Sequence, residues 1–298
     1  MDKRAYGKTG MQVSVLGFGG AEIGFSGASP DSVDKLLGRA LDAGLNVIDT
    51  AECYNISEEL IGQAVSHRRD DYYLFTKCGH ASGLELPDWD PKLLELSIDR
   101  SLKRLRTEYV DVIHLHSCSE AILRRGEVIE VLQRAKEQGK TRFIGYSGDH
   151  KAGLYAVQSG AFDSLETSIN IADQEAIELT IPAAMQAGMG VVVKRPIANA
   201  AWKTGQRPDS SYHHTYWDRL QQLNYDFLQG ELNESVATAL RFTLTVPGVH
   251  TAIVGTANPD RWLANAKLLE QGNLSQEAYQ AIRSRWQEVA QEDWIGQG

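Results

Sequence analysis

Little in this sequence is suited to cross-linking. Only three cysteines occur in 298 residues, Cys53, Cys78 and Cys118, and no two share a Cys-x-x-Cys spacing. So odd and sparse a set fits a reducing compartment and excludes a disulfide framework. Long apolar runs are missing as well. No stretch approaches the roughly 20 residues that span a bilayer, and Met1-Asp2-Lys3-Arg4 leads into no apolar segment of the signal-peptide kind. Nor is positive charge in excess: 30 Lys and Arg stand against 39 Asp and Glu, a formal net charge of −9. That balance argues against a general nucleic-acid or acidic-membrane surface, while leaving room for a local anion pocket. Internal repeats, low-complexity tracts and linkers are absent, so residues 1–298 read as one domain of a soluble, cytoplasmic protein.

What the chain does have is a rhythm. A hairpin comes first, with Lys8-Thr9-Gly10 turning between Arg4-Ala5-Tyr6 and Val13-Ser14-Val15. Leu16-Gly17-Phe18-Gly19-Gly20 then runs into a glycine-rich corner where backbone can approach a ligand. Ser29-Pro30-Asp31 caps a helix with apolar positions at Val33, Leu36, Leu37 and Ala40. Further strands are expected at 45–49, 72–76, 110–116, 142–145, 162–168, 190–193 and 251–254. Helices are expected at 57–66, 91–106, 119–138, after Asp149, and at 173–187, 234–245 and 259–269, with a trailing amphipathic helix over 275–293. Eight strand–helix units make a parallel sheet that closes on itself. The expected fold is α/β, a (β/α)8 TIM barrel with an N-terminal β-hairpin and an extra C-terminal helix.

Three successive strands end in ionisable groups. Asn46-Val47-Ile48-Asp49 delivers a carboxylate, with Tyr54 five residues on; Tyr73-Leu74-Phe75-Thr76-Lys77 delivers an ammonium; Val110 to His116 delivers imidazoles. A phenol is a poor acid at neutral pH, with a reference pKa of about 10. A neighbouring ammonium favours the phenolate, and a carboxylate holds that ammonium in place. Such a set can give a proton to an oxygen that is becoming an alkoxide. Taken singly, each residue could be a cap or a solvated rim group; at three consecutive strand ends they read as one site. His114 and His116 share a strand face, with His116 nearer the rim and able to donate to a substrate oxygen, and His114 reading as a core histidine. No metal is expected, since only Asp49 offers an evident further ligand.

A second cluster, Gly255-Thr256-Ala257-Asn258-Pro259-Asp260-Arg261, follows the last strand. Asn258 suits a helix N-cap and Pro259 the first helical position. Barrels bind phosphate at this place, and Arg261 in the first turn opposes the helix dipole unless an anion is near. The segment 198–230 carries Trp202, Tyr212, His213, His214, Tyr216 and Trp217, which either shape a substrate pocket or anchor a helix to the barrel.

At these residues the chain resembles the aldo-keto reductase family over nearly its whole length. Asp49-Thr50-Ala51-Glu52-Cys53-Tyr54 with Ser57-Glu58-Glu59-Leu60-Ile61-Gly62, Thr76-Lys77, and Tyr109-Val110-Asp111 through His116 carry the resemblance. It implies a catalytic tetrad of Asp49, Tyr54, Lys77 and His116. It also implies NADPH held in an extended pose, without the glycine fingerprint of dinucleotide folds, which this chain does not contain. The coenzyme contacts expected are Gly20, Ala21, Thr256, Asn258, Arg261 and Asn265 from the resemblance, together with Asp49, Ser147, Gly255, Asn170 beside Glu166, and the pair Lys194 and Arg195. Three positions depart from the family pattern. Ser147 is followed by Gly148 rather than Asn, Glu166 stands where a glutamine is common, and Lys194-Arg195 replaces a stacking aromatic and is expected to meet coenzyme phosphates instead.

The expected activity is NADPH-dependent reduction of an aldehyde or ketone, with Tyr54 as proton donor and a small carbonyl compound as substrate. Two rivals are an aldolase-type enzyme using Lys77 as a Schiff-base nucleophile, and a protein that binds NADP to sense its redox state. All three cysteines are expected at the rim, with Cys78 turned away from the barrel interior and Cys118, sharing the parity of His116, as the thiol nearest the pocket.

Overall fold

The hairpin forms as β1 (Lys3–Ala5) and β2 (Gln12–Ser14), paired antiparallel. Eight strands follow in the computed structural model, which describes residues 1–297. They are β3 (Leu16–Gly19), β4 (Val47–Asp49), β5 (Tyr73–Cys78), β6 (Val110–His116), β7 (Thr141–Ser147), β8 (Ser164–Ser168), β9 (Gly190–Lys194) and β10 (Thr251–Gly255). All pair in parallel, in chain order, and β10 lies between β9 and β3 to close a barrel. The expected (β/α)8 architecture is the one observed.

Alternation along each strand sorts the side chains into two compartments. The odd positions of β5 and the even positions of β6 face inward. The lower interior is apolar: Val47, Phe75, Val112, Val192 and Ile253 pack with Tyr6, Met11 and Val13 of the hairpin. The hairpin is therefore the plug that closes the N-terminal end. It fits because β9 starts with a glycine, since a Cβ on Gly190 would lie 2.2 Å from the Tyr6 ring. Tyr6 Oη meets Ser164 Oγ at 2.6 Å, and His114 Nε2 meets the same hydroxyl at 2.8 Å. Above that level the interior turns polar. Outside the barrel a larger apolar layer joins the strands to the helices, including Leu36, Leu37, Leu74, Ile98, Ile113, Leu115 and Leu132.

Caps start the helices where the sequence places them. Ser29 accepts from Ser32 N at 3.2 Å ahead of the helix Pro30–Asp42, and Asp90 accepts from Lys92 N at 2.8 Å ahead of Pro91–Leu105. Some expected helices are broken. The 119–138 segment is two helices, Glu120–Arg125 and Glu127–Glu137, separated at Gly126. The 173–187 segment splits into Glu175–Leu179 and Ile181–Ala187, because Pro182 lacks the amide hydrogen that would continue the first. The last rim helix starts at Arg261, two residues later than expected, because Asn258 Oδ1 accepts from Asp260 N at 2.9 Å and turns the chain first. Within 198–230 the helix His214–Leu223 forms, with Tyr216 and Leu220 buried.

The trailing helix is Gln276–Val289, shorter than the expected 275–293. Beyond it the chain folds back over the C-terminal rim. Trp294 packs on Trp286 with ring centroids 5.4 Å apart, and Arg219 donates to Ile295 O at 2.8 Å. Gly296 N donates to Glu175 Oε2 at 3.0 Å, and Gln297 O accepts from Arg195.

Candidate active site

The C-terminal ends of β4, β5, β6, β7 and β8 converge on one polar floor. Register explains the grouping: Lys77 lies beside His114, and His116, Ser147 and Glu166 lie side by side on β6, β7 and β8. Asp49, Lys77, His114, Ser147 and Glu166 are all buried, whereas Tyr54 and His116 are partly exposed at the mouth. Lys77 Nζ bonds to Asp49 Oδ1, donates to Thr50 O at 3.0 Å, and lies 5.4 Å from the centroid of the Tyr54 ring. The Tyr54 and His116 rings meet edge to face at 5.6 Å. The four residues expected to work together are therefore neighbours.

Local structure keeps them there. Gly20 N donates to Asp49 O at 2.7 Å, and Ser57 Oγ donates to Gly20 O at 2.8 Å, which ties the glycine corner to the turn carrying Tyr54. Beneath that turn Glu52 is buried against Arg100 and Arg104. Glu58 accepts from Thr76 Oγ1 at 2.7 Å.

A second carboxylate reaches Lys77. Glu166 Oε2 is 3.3 Å from Lys77 Nζ and 3.9 Å from His114 Nδ1. Burial works against the lysine's charge, but Asp49 and then Glu166 outweigh it and hold the ammonium above the ordinary lysine value. Burial, then Glu166, push the Asp49 carboxyl well up. Glu166 is also pushed up by burial, yet Lys77, His114 and Lys194 pull it below its ordinary value. Two carboxylates facing one ammonium titrate as a pair, and repulsion sends one of them upward. Asp49, His114 and Glu166 have the donor atoms of a three-ligand metal set within 4.8 Å of one another, and the Lys77 ammonium already holds two of them.

Burial raises the Tyr54 phenol, and Lys77 offsets this only in part. The net direction is thus opposite to the acidification expected from the lysine alone, because desolvation of a phenolate outweighs one nearby ammonium. Burial, then Lys77 and Lys194, hold His116 well below the ordinary imidazole value, so it is neutral. His114 is lowered to about 4 by burial and serves as a core group bonded to Ser164, as expected.

The other expected residues divide. Ser147 Oγ is buried with no hydrogen-bond partner among the described residues. Gly255 lies beside Gly19 in register at the open end of β10, with Ala21 partly exposed nearby. Thr256 and Asn265 are buried, Thr256 Oγ1 accepting from Asn258 N at 3.0 Å, and Arg261 is exposed at the first residue of its helix. By contrast, Asn170 is used inside a turn, donating to Arg195 O at 3.0 Å and accepting from Ala172 N at 2.8 Å. Lys194 pairs with Asp149 at 3.2 Å, and Arg195 engages Ser168 Oγ at 3.1 Å, Tyr212 at 3.0 Å and the C-terminal tail. The cationic pair expected to meet phosphates is engaged by the protein itself.

Sequence reading missed two neighbours of His116. Cys53 Sγ lies 3.3 Å from His116 Nδ1, and the His80 ring sits 5.3 Å from the His116 ring. His80 follows Lys77 by three residues, a strand-end position that could have flagged it. Cys118 is corrected: it is buried in the outer apolar layer, its thiol pushed up to about 12 by burial, because the chain leaves the strand at Ser117 with φ +67° and parity no longer applies. Cys78 packs in the same outer layer, away from the interior.

Comparison with known proteins identifies the family and the fold. The Aldo/keto reductase family model matches residues 15–287. The chain belongs to the aldo/keto reductase family. Members are oxidoreductases that act on small-molecule carbonyl compounds with a nicotinamide coenzyme. An L-galactose dehydrogenase of Arabidopsis thaliana is 37% identical over 157 residues, which cover 50% of this chain and 49% of that enzyme. An uncharacterized oxidoreductase, YqkF, of Bacillus subtilis is 25% identical over 95% of this chain and 96% of its own. The holo form of the aldo-keto reductase AKR11C1 from Bacillus halodurans superposes with a TM-score of 0.85 at 26% identity, covering 99% of both chains. No helix among the described residues is long and apolar enough to cross a membrane.

Proposed function

We propose that this family member reduces aldehydes or ketones to alcohols with NADPH, using Tyr54 as the proton donor. The observation that carries the reading is the continuous chain of contacts from Asp49 to Lys77, to Tyr54, to His116 at the rim. When bound, the coenzyme supplies a hydride to the carbonyl carbon. Tyr54 gives its proton to the oxygen as it becomes an alkoxide, and neutral His116 donates a hydrogen bond to the same oxygen. Lys77, held by Asp49 and Glu166, stabilises the phenolate that remains. Phe25, His80 and Trp89 flank the mouth, Phe25 at 6.1 Å from the Tyr54 ring and Trp89 at 5.2 Å from His80, and they form its semi-apolar wall.

The residues present suit a nicotinamide coenzyme. Among the described residues, Ser147 Oγ and Asp49 Oδ2 are buried without hydrogen-bond partners. Orphaned polar atoms are uncommon in native interiors, and an amide-bearing ligand offers donors and acceptors for them. Arg261 and the exposed Gly255 corner are the parts that suit a phosphate. An aldolase reading is disfavoured by the same floor, because a lysine held as an ammonium by two carboxylates is no nucleophile.

Tyr54→Phe tests the reading. Turnover on a panel of aldehydes, ketones and sugars should fall by roughly 100- to 10,000-fold, the usual worth of general-acid help, while NADPH binding, followed by its fluorescence, persists. Near-normal turnover in the variant would overturn the assignment.

A further inference from the structure

His116 can assist a substrate oxygen only if its proton sits on the nitrogen that faces the pocket. A neutral imidazole has one N–H, and a neighbour's hydrogen bond decides which nitrogen carries it. In this chain that neighbour is a thiol. Cys53 Sγ lies 3.3 Å from His116 Nδ1, at hydrogen-bonding distance for sulfur. Cys53 immediately precedes Tyr54, so the turn that presents the phenol also presents the sulfur. The two side chains are partly buried at the mouth, with Lys77 below, Lys194 across the rim and His80 alongside at 5.3 Å between ring centroids.

Two tautomers are possible, and the chemistry of sulfur separates them. If Nδ1 carried the hydrogen, it would donate to a thiol sulfur, which is a weak acceptor. If Nε2 carries it, the S–H, itself only a weak donor, meets the imidazole lone pair on Nδ1, a much better acceptor than sulfur. The second arrangement requires a protonated thiol and a neutral ring. Burial raises the Cys53 thiol, outweighing the pull of Lys77, and burial holds His116 well down. Both requirements are met.

We propose that Cys53 is a positioning residue: its S–H donates to His116 Nδ1, fixes the Nε2–H tautomer, and so aims the imidazole's one donor at the substrate oxygen. The inference deepens the reading of His116 given above and rests on it. Asp88, bonded to His80 at 2.8 Å, is a further charge at this mouth and acts in the same direction on the Cys53 thiol as burial does, favouring the protonated S–H.

The tautomer can be read without turnover. In protein carrying 15N-labelled histidine, the two nitrogens of a neutral ring have well-separated shifts, and His116→Asn assigns its signals. The wild type should show His116 as the Nε2–H form. Cys53→Ala should convert it to a mixture of tautomers, with kcat for carbonyl reduction falling on the order of tenfold and KM for NADPH unchanged. Cys53→Ser, which keeps an O–H donor at the same place, should restore the Nε2–H form and most of the kcat. A wild-type ring protonated at Nδ1 would overturn the proposal. So would a Cys53→Ala protein that keeps the Nε2–H signal, or a serine variant as impaired as the alanine. If Cys53→Ala does not fold, Cys53→Val compared with Cys53→Thr makes the same donor comparison in a bulkier pair. Failure of the tautomer readout counts against Cys53 alone; a Tyr54→Phe enzyme that still turns over counts against the underlying reading.

Discussion

At the scale of the residue, charge decides more than shape. Lys77 is among the most deeply buried side chains and survives as an ammonium because two carboxylates share it. A glutamine at position 166 would leave one carboxylate per ammonium; the glutamate adds a buried negative charge that an isolated pair would not need. Arg261 is the opposite case, an exposed guanidinium at a helix start where the dipole alone disfavours it. If it serves the 2′-phosphate of the coenzyme, Arg261→Ala should weaken NADPH binding by about 1.5–3 kcal/mol, the worth of a charge-assisted hydrogen bond. NADH binding should barely change. Calorimetric titration with both coenzymes checks this, and equal losses would mean that Arg261 does not discriminate between them.

At the scale of the element, the site depends on how closely short segments approach. The five-residue helix Ala21–Phe25 leans on the turn that carries the phenol: a Cβ on Gly24 would lie 2.0 Å from Tyr54 O and 3.1 Å from Ser57 Cβ. Backbone cannot give way as a flexible side chain can, so Gly24→Ala must push the helix off the turn. Overpacking of this kind costs about 1–3 kcal/mol, and here it should also displace Tyr54 and lower kcat. Urea unfolding together with kinetics is the check. A variant with unchanged midpoint and unchanged kcat would show that the turn does not rest on this helix. Element boundaries were the least legible part of the sequence. The late start of the rim helix at Arg261 follows from one side-chain acceptor, Asn258 Oδ1, competing with a cap. The double helix over 120–137 follows from a turn at Gly126 that periodicity could not distinguish from a continuous stripe.

At the scale of the molecule, the tail of residues 291–297 joins the last helix to the rim of β8 and β9. Its anchor is Asp173, fully buried, which accepts from Tyr216 Oη at 3.1 Å and from Gln297 N at 3.4 Å. Burial, then Asp149, push this carboxyl up to about 8. The folded state therefore holds the proton more tightly than the unfolded chain does. The contribution to stability is complete below the unfolded value of about 4 and is lost as pH rises towards about 8. Asp173→Asn, which cannot ionise, should flatten that decline, so that its urea midpoint falls less between pH 5 and neutral pH than the wild type's does. An unchanged pH slope would mean that Asp173 is ionised across the range and paired well enough with Arg219, 4.0 Å away, to stay so.

Strand parity and strand ends are local properties, and they were enough to find the barrel, the floor and the grouping of Asp49, Tyr54, Lys77 and His116. Each of these groups sits at the C-terminal end of a strand or just past it, so a parallel sheet brings them to one rim whatever the helices do. Pairing between distant segments has no such local trace. The contact of Glu166 with Lys77 depends on β8 and β5 facing each other across a closed barrel. The engagement of Lys194 by Asp149 and of Arg195 by the tail depends on loops and a C-terminal segment that only meet once the barrel has formed. The approach of Cys53 to His116 depends on the path of a turn after its strand has ended, where alternation no longer says which way a side chain points. The sequence determined which groups reach the rim; the closed barrel decided which of them are paired, because partners 45 to 102 residues apart are chosen by where the chain returns and not by what lies beside them.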